Sequence, residues 1–406
     1  MISEKSRYFE KASYVELRGH SSHVTKVKWS YQDKWIVSTG GNDRCVFVWR
    51  NENASGGGSR DLAAAAKQRV GNEDQPVVEL KTLREVDSTT EFDDIEDDVG
   101  DEFMAIKPWL GAIVAPTDAK NMKIDSSSPD ARLELERVHG YQAQNASNNA
   151  RYDSQGKIVY HAAALGIVYD KASQKQSFFK FHDDDVVALC MHPNGSTVAT
   201  AQMGKKPKIY TWSSANPSSA ISLLEGFHER VVCAICFSSD GKKLGSIGGD
   251  DDHSIAIYSW ENGLLSASAK GERGYVRAIC YHEGQWISCG EKHVRFWREQ
   301  GKHLSSKKAI FGKAKHKDNK MPGVFEAVVS FGTWVVVGGS NGDLYLFQGS
   351  NELARVVTAH SASTFALFAT ASGELVSGGK DGTIMVWDAS VANIFKFDLK
   401  EHASTL

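Results

Sequence analysis

Apolar and polar positions alternate in short runs along most of the chain, as in VTKVKW, KWIVSTG and CVFVW near the amino terminus and TIMVW near the carboxyl terminus. A period of two residues, carried by β-branched and aromatic side chains, predicts strands with one face buried. Helical spacing is almost absent. The runs end on an aromatic residue at Trp49, Trp212, Trp260, Trp297, Phe347 and Trp387, and from Trp212 onward the intervals lie between 37 and 50 residues. Each interval has room for four short strands, which is the period of propeller blades and not of strand–helix–strand units. The expected fold is therefore an all-β propeller of seven blades. They are the blade ending at Trp49, a divergent blade over 133–170, and five more. The amino-terminal blade is expected to swing across a long connection and fill the gap beside the last blade. Its outer strand would come from residues 76–80 or 133–138.

Two copies of the repeat are complete, Gly19 to Trp49 and Ala359 to Trp387. Each contains a histidine (His20, His360), a strand hydroxyl (Ser38, Ser377), a turn aspartate (Asp43, Asp381) and the closing indole (Trp49, Trp387). Those four groups can form one buried hydrogen-bonded chain that pins the turn. A hydrolytic triad is the less fitting reading, because the serine lies on a strand and not on an exposed nucleophile turn. The intervening copies are degraded. The third keeps His182 without a turn aspartate, the fourth has His228 and the run Asp250, Asp251, Asp252, the fifth has Glu272 in the histidine's place, and the sixth has Asn341 in the turn.

The repeat is interrupted once. Four regions follow: a blade at 13–50, a flexible acidic linker at 51–102, a hydrophobic lead-in segment at 103–131, and propeller blades over 132–406. Ten acidic residues and no basic one fall between Glu85 and Glu102, a composition that repels itself and favours a solvated segment. FMAIKPWLGAIVAP, Phe103 to Pro116, is apolar and suited to docking on a folded surface. The whole chain has 406 residues and a formal charge of −3, so no basic excess points to nucleic acid. Six scattered cysteines suit a reducing compartment, and the amino terminus lacks the apolar core of a secretion signal. No cofactor or metal is expected: GGDDDH at 248–253 lacks the ligand alternation of a calcium loop, and no glycine-rich loop leads into a helix with a phosphate-binding lysine.

With these residues in view, the chain resembles the echinoderm microtubule-associated protein-like family, whose members carry tandem atypical WD-repeat propellers. The resemblance rests on GHSSHVTKVKWSYQDKWIVSTGGNDRCVFVWR (Gly19 to Arg50), on the acidic stretch followed by FMAIKPWLGAI, and on HGYQAQNASNNARYDSQGKIVYHAAALGIVYD (His139 to Asp170). FHDDDVVAL, FHERVVCAICFS, GEKHVRFW and SGGKDGTIMVWD then follow in family order. It implies a WD-repeat β-propeller with no catalytic activity and with tubulin or microtubules as partner. Neither nucleic acid nor membrane is implied. The implied location is the cytoplasm and cytoskeleton, including spindle or cilium. A coiled coil and basic region, present in the best established microtubule-binding members, are missing from this sequence, and one or both ends are expected to be truncated relative to the family unit. The alternative is a generic WD-repeat scaffold with no tubulin affinity.

Tubulin is acidic, so basic clusters are the candidate contacts. Lys205, Lys206 and Lys208 form one. Lys307, Lys308, Lys313, Lys315 and Lys317 belong to the other, a run from Lys302 to Lys320 with seven lysines and one acid, expected in an excursion between strands of the fifth blade. Solvated protection of sheet edges is the bland reading of the same lysines.

Overall fold

The computed structural model describes residues 17–30, 34–52, 132–141, 149–271, 273–312 and 321–399. The acidic linker, the lead-in segment, Glu272 and the lysines at 313, 315 and 317 lie outside the described residues. Two compact units are present. The larger contains Gly19–Lys28, Val37–Val48 and Glu136–Leu406; the smaller contains the remainder, including Trp29–Ile36 and Trp49–Leu135. In the smaller unit, Arg50 pairs with Glu134 at 2.8 Å and Arg132 with Glu52 at 3.0 Å.

The described residues form seven four-stranded antiparallel blades, the WD-repeat propeller fold that the alternation predicts. Blade 1 has strands Val24–Trp29, Trp35–Gly40, Val46–Asn51 and Leu133–His139. Its outer strand thus comes from the second of the two expected sources. The divergent second blade is correspondingly shifted: it spans 150–179 and not 133–170, with strands Ala150–Tyr152, Ile158–Ala162, Leu165–Asp170 and Lys175–Phe179. Blades 3 to 7 occupy 186–224, 232–269, 276–308, 325–358 and 364–398. A single parallel bridge, Ser268 to His303, joins blades 4 and 5 at their outer strands. The one helical element that lies wholly within the described residues is a 3₁₀ turn at Trp260–Asn262.

Each strand's exposure follows its place in the blade. Thr197–Gln202, second in blade 3, is buried along its whole length, whereas the outer strand Asn216–Leu224 alternates. The core lies in the seams between blades, because a four-stranded sheet cannot bury both faces alone. Ala199, Ile209 and Leu224 of blade 3 pack on Val232, Phe237 and Tyr258 of blade 4. Cys289, Val294 and Phe296 of blade 5 meet Val328, Val337 and Phe347 of blade 6, and Leu344 and Leu346 meet Leu375 and Trp387 in the last seam.

Within the larger unit, blade 1 docks on blade 2 through backbone. Ala164 N–H donates to Gly19 O at 3.3 Å, and Gln176 clasps Val138 twice, accepting from its N–H at 2.7 Å and donating to its carbonyl at 3.0 Å. Gly140 sits against Cys45, where any Cβ would collide with the thiol. The Ser21 hydroxyl donates to Asp185, just ahead of blade 3.

Candidate functional site: the buried relays and the basic rim

Blade 7 shows what the repeated histidine, serine, aspartate and tryptophan do. Trp387 Nε1–H donates to Ser377 Oγ at 3.0 Å, and Ser377 is 2.8 Å from His360 Nε2. His360 Nδ1 meets Thr383 Oγ1 at 2.9 Å, and that hydroxyl donates to Asp381 Oδ1 at 2.8 Å. Donors therefore run one way, from indole to serine to histidine to threonine to carboxylate, which requires a neutral imidazole protonated on Nδ1. Burial lowers the His360 pKa in keeping with that state. Burial acts to raise the Asp381 pKa, but the Ser361 N–H and the Thr383 hydroxyl and N–H outweigh it and hold the carboxylate well below the usual range.

The expected chain of four groups has a fifth member in blade 7: the Thr383 hydroxyl stands between His360 and Asp381, and the direct approach is a longer 3.3 Å. Blade 1 has the direct contact. His20 Nδ1 lies 2.6 Å from Asp43 Oδ2 and Nε2 lies 2.9 Å from Ser38 Oγ. The cause is Cys45, which holds the position of Thr383 two residues after the aspartate, and whose thiol turns to the Asp43 carbonyl at 3.0 Å. Blade 4 matches blade 7: His228 contacts Ser246 at 2.6 Å and Ser254 at 3.0 Å, and Ser254 donates to Asp250 at 2.5 Å.

In blade 4 the aromatic residue within the third strand is not Trp260. In blade 4 the residue facing the first position of the second strand is Tyr258, opposite Leu244, just as Trp387 faces Leu375. Tyr258 takes the indole's place in the register, while Trp260 starts the 3₁₀ turn and donates to Gly241 O at 2.7 Å.

Blade 3, which lacks a turn aspartate, contains a relay that the sequence reading missed. Trp212 donates to Thr200 at 3.0 Å, Thr200 lies 2.8 Å from His182 Nε2, and His182 Nδ1 lies 2.8 Å from Gln202 Oε1. The Gln202 amide then donates to Asp183 at 2.5 Å. Gln202 holds the place of Gly379, two residues after the strand hydroxyl. At Gly379 a Cβ would strike both Asp381 and His360. Glycine and turn acid therefore go together, and glutamine replaces both. This coupling of two sequence positions was the available signal.

The histidine–hydroxyl pairs are structural. Ser38 is 1% exposed and Ser377 is fully buried, so neither presents a nucleophile to solvent. Among the described residues no group of three His, Cys, Asp or Glu side chains is placed to hold a metal ion, and no helix is long and apolar enough to cross a membrane.

The basic candidates divide. Lys205 and Lys206 are exposed in the connection 203–208, but Lys208 is held by Asp183 at 2.5 Å, a hydrogen bond that raises its pKa. Lys307 and Lys308 do not lie in an excursion: they end the outer strand His303–Lys308 of blade 5 and are exposed there.

Seven such blades, with indole–hydroxyl–imidazole relays in blades 3 and 7, define a WD-repeat propeller. The pattern for the echinoderm microtubule-associated protein first beta-propeller matches residues 175–406, the HELP motif matches 128–167, and a WD domain, G-beta repeat, matches 11–50. The chain belongs to the echinoderm microtubule-associated protein family. It is 30% identical over 306 residues to echinoderm microtubule-associated protein-like 2 of Rattus norvegicus, covering 71% of this chain and 46% of that protein. Over 290 residues it is 28% identical to the 77 kDa echinoderm microtubule-associated protein of Strongylocentrotus purpuratus, covering 68% and 42% respectively. The chain thus spans less than half the length of these relatives.

Proposed function

We propose that this chain is a microtubule-associated binding platform that acts on tubulin without catalysis. The observation that carries the reading is the family match over 175–406, joined to relatives that are themselves named microtubule-associated. The burial of every strand hydroxyl in the relays (Ser38, Thr200, Ser246 and Ser377) supports a scaffold over a hydrolase. Exposed lysines on the outer strand of blade 5 and in the 203–208 connection supply charge complementary to an acidic partner. The same reading locates the chain on the cytoskeleton, including spindle or cilium.

Co-pelleting of the purified chain with polymerised tubulin, with free tubulin dimer assayed separately, tests it. Binding that weakens as ionic strength rises is expected, and joint charge reversal at Lys307, Lys308, Lys313 and Lys315 should reduce it while leaving the fold intact. Binding to neither form of tubulin would favour a scaffold for other complexes. Binding unchanged by the reversal would move the interface off the rim of blade 5.

A further inference from the structure

The seam between blades 5 and 6 contains a cleft that nothing above uses. Antiparallel register sets Arg298 across from Ser305 and Phe296 across from Lys307, and the pairing of Trp286 with Trp297 continues to bring Gln285 beside Arg298. With side chains alternating faces, Gln285, Phe296, Arg298, Ser305 and Lys307 all project on one side of blade 5. The turn Gly349–Asn351 of blade 6 forms the facing wall and encloses about 140 Å³ with them. The wall is fixed in place. Asn351 Nδ2 donates to Lys308 O at 2.6 Å, Ile310 N–H to Asn351 O at 2.8 Å, and Leu353 N–H to Ile310 O at 2.8 Å. Beneath lies Phe296, edge-on to Phe347 with centroids 5.5 Å apart, so the floor is part of the seam's core.

Two cations border this cleft, and neither Arg298 nor Lys307 has a carboxylate partner among the described residues. The acids nearby are otherwise placed: Glu299 points to the opposite face, where Lys243 holds it at 2.6 Å, and Glu352 is exposed beyond the turn. Arg298 and Lys307 are diagonal neighbours on adjacent strands, a relation that sets their stems about 7–8 Å apart. Alternate residues of an extended peptide repeat every ~6.7 Å. The two charges are thus spaced for two successive same-side carboxylates of a strand and do not converge on a single anion, as a phosphate clamp would. Hydroxyls of Ser305 and Ser350 and the Gln285 amide supply neutral hydrogen-bonding groups along the cleft.

We infer that this cleft binds an extended acidic peptide segment, with Arg298 and Lys307 each meeting a carboxylate two residues apart. For the partner's identity the inference rests on the proposed function, since an acidic segment of tubulin is the occupant that reading supplies. The cleft itself rests on geometry alone.

Fluorescence anisotropy of the full chain with a labelled peptide bearing glutamate at alternate positions tests the inference, beside a peptide of equal charge with glutamate at every third position. The alternate peptide should bind more tightly. Arg298→Gln and Lys307→Gln should each weaken it about two- to fivefold and together about tenfold, the range for exposed ion pairs. Lys175→Gln, at an exposed position on the outer strand of blade 2, should leave it unchanged, and unaltered melting of the variants would exclude misfolding. Equal binding of the two peptides, or binding indifferent to the double variant, would overturn the inference. The same proteins are carried through co-pelleting. Wild-type co-pelleting without peptide binding removes the cleft and spares the tubulin reading; cation-dependent peptide binding without co-pelleting does the reverse.

Discussion

Blades 7 and 3 reach the same end with different residues. In blade 7 the relay terminates on Asp381 in the turn, reached through the Thr383 hydroxyl. In blade 3 it terminates on Asp183, next to the histidine in sequence, reached through the Gln202 amide. Both runs begin at an indole N–H, pass through a strand hydroxyl and require a neutral imidazole. What the fold specifies is a chain of donors and acceptors ending on a carboxylate; which residue supplies each station is open, provided each buried polar group finds a partner.

Acid separates the two blades most. Burial lowers the His182 pKa to about 4 from an ordinary 6.5, and lowers that of His360 as well. A histidine with a depressed folded pKa contributes stability that is complete above about pH 6.5 and declines as pH falls toward the folded pKa. At pH 5, His182 alone should reduce stability by on the order of 2 kcal/mol. Buried His161, whose ring nitrogens have no partner and whose pKa burial pushes down to about 3, should act in the same window. His360 has Asp381 within 3.3 Å to stabilise an imidazolium, whereas His182 faces a neutral amide at Nδ1. Hydrogen exchange between pH 7 and 5 should therefore show protection lost first in 186–224, with 364–398 following. Loss in the reverse order would mean that Asp183 serves His182 better than Asp381 serves His360.

Removing the hydroxyl station tests whether the relays carry comparable weight. Thr200→Val strands both the Trp212 indole N–H and His182 Nε2 in a dry seam, a penalty of about 2–4 kcal/mol. Thr200→Ser keeps the hydroxyl and should cost less than about 1 kcal/mol. Urea melts reporting equal losses for the two variants would show that packing of the methyl group, and not the relay, stabilises blade 3.

Much of this was legible beforehand, and the limits have physical causes. Strand alternation gave the blades because one face of each strand must be apolar, and the recurrence of histidine, strand hydroxyl and turn aspartate together gave the relays of blades 1 and 7. Leu133–His139 stood as one of two candidate segments because its partner strand Val46–Asn51 lies across a long connection, and nothing local to either segment records the pairing. Trp260 misled because an aromatic residue just past a strand has the same local pattern as one at its end. The blade 3 relay escaped notice because glutamine is not a turn residue. Lys307 and Lys308 read as loop because a serine- and lysine-rich outer strand, solvated on one face, carries little apolar period.

The exchange between glycine with aspartate and glutamine alone leads to a rescue experiment. Asp381→Ala leaves the Thr383 hydroxyl and the Ser361 N–H without their acceptor and should cost about 1–3 kcal/mol. Adding Gly379→Gln to that variant removes the collision with Asp381 but leaves the one with His360, so the imidazole must shift to make room for the side chain; with that shift the amide oxygen takes the place it has in blade 3 and should recover about 1 kcal/mol. Gly379→Gln in the parent chain should be harmful, since Asp381 already fills the space. A double variant no more stable than Asp381→Ala alone would show that the two blades are not interchangeable at this station.

The smallest effect concerns the far end of the blade 3 relay. Lys208 grips Asp183 at 2.5 Å, but its side chain is 24% exposed and that of the aspartate is 50% exposed, so solvent weakens the pair. Lys208→Gln should therefore cost only about 0.5 kcal/mol, and less in high salt. Lys205→Gln, at an exposed position in the same connection, should leave stability within about 0.5 kcal/mol of the parent. The pair also bears on binding: a lysine already engaged by Asp183 has less charge to offer an acidic partner than its neighbours. In co-pelleting, Lys205→Gln should thus weaken tubulin binding at least as much as Lys208→Gln, although it disturbs the fold less. If Lys208→Gln proves the more damaging to binding while the urea midpoints of the two variants agree, Lys208 leaves Asp183 on contact with the partner, and the end of the relay belongs to the interface.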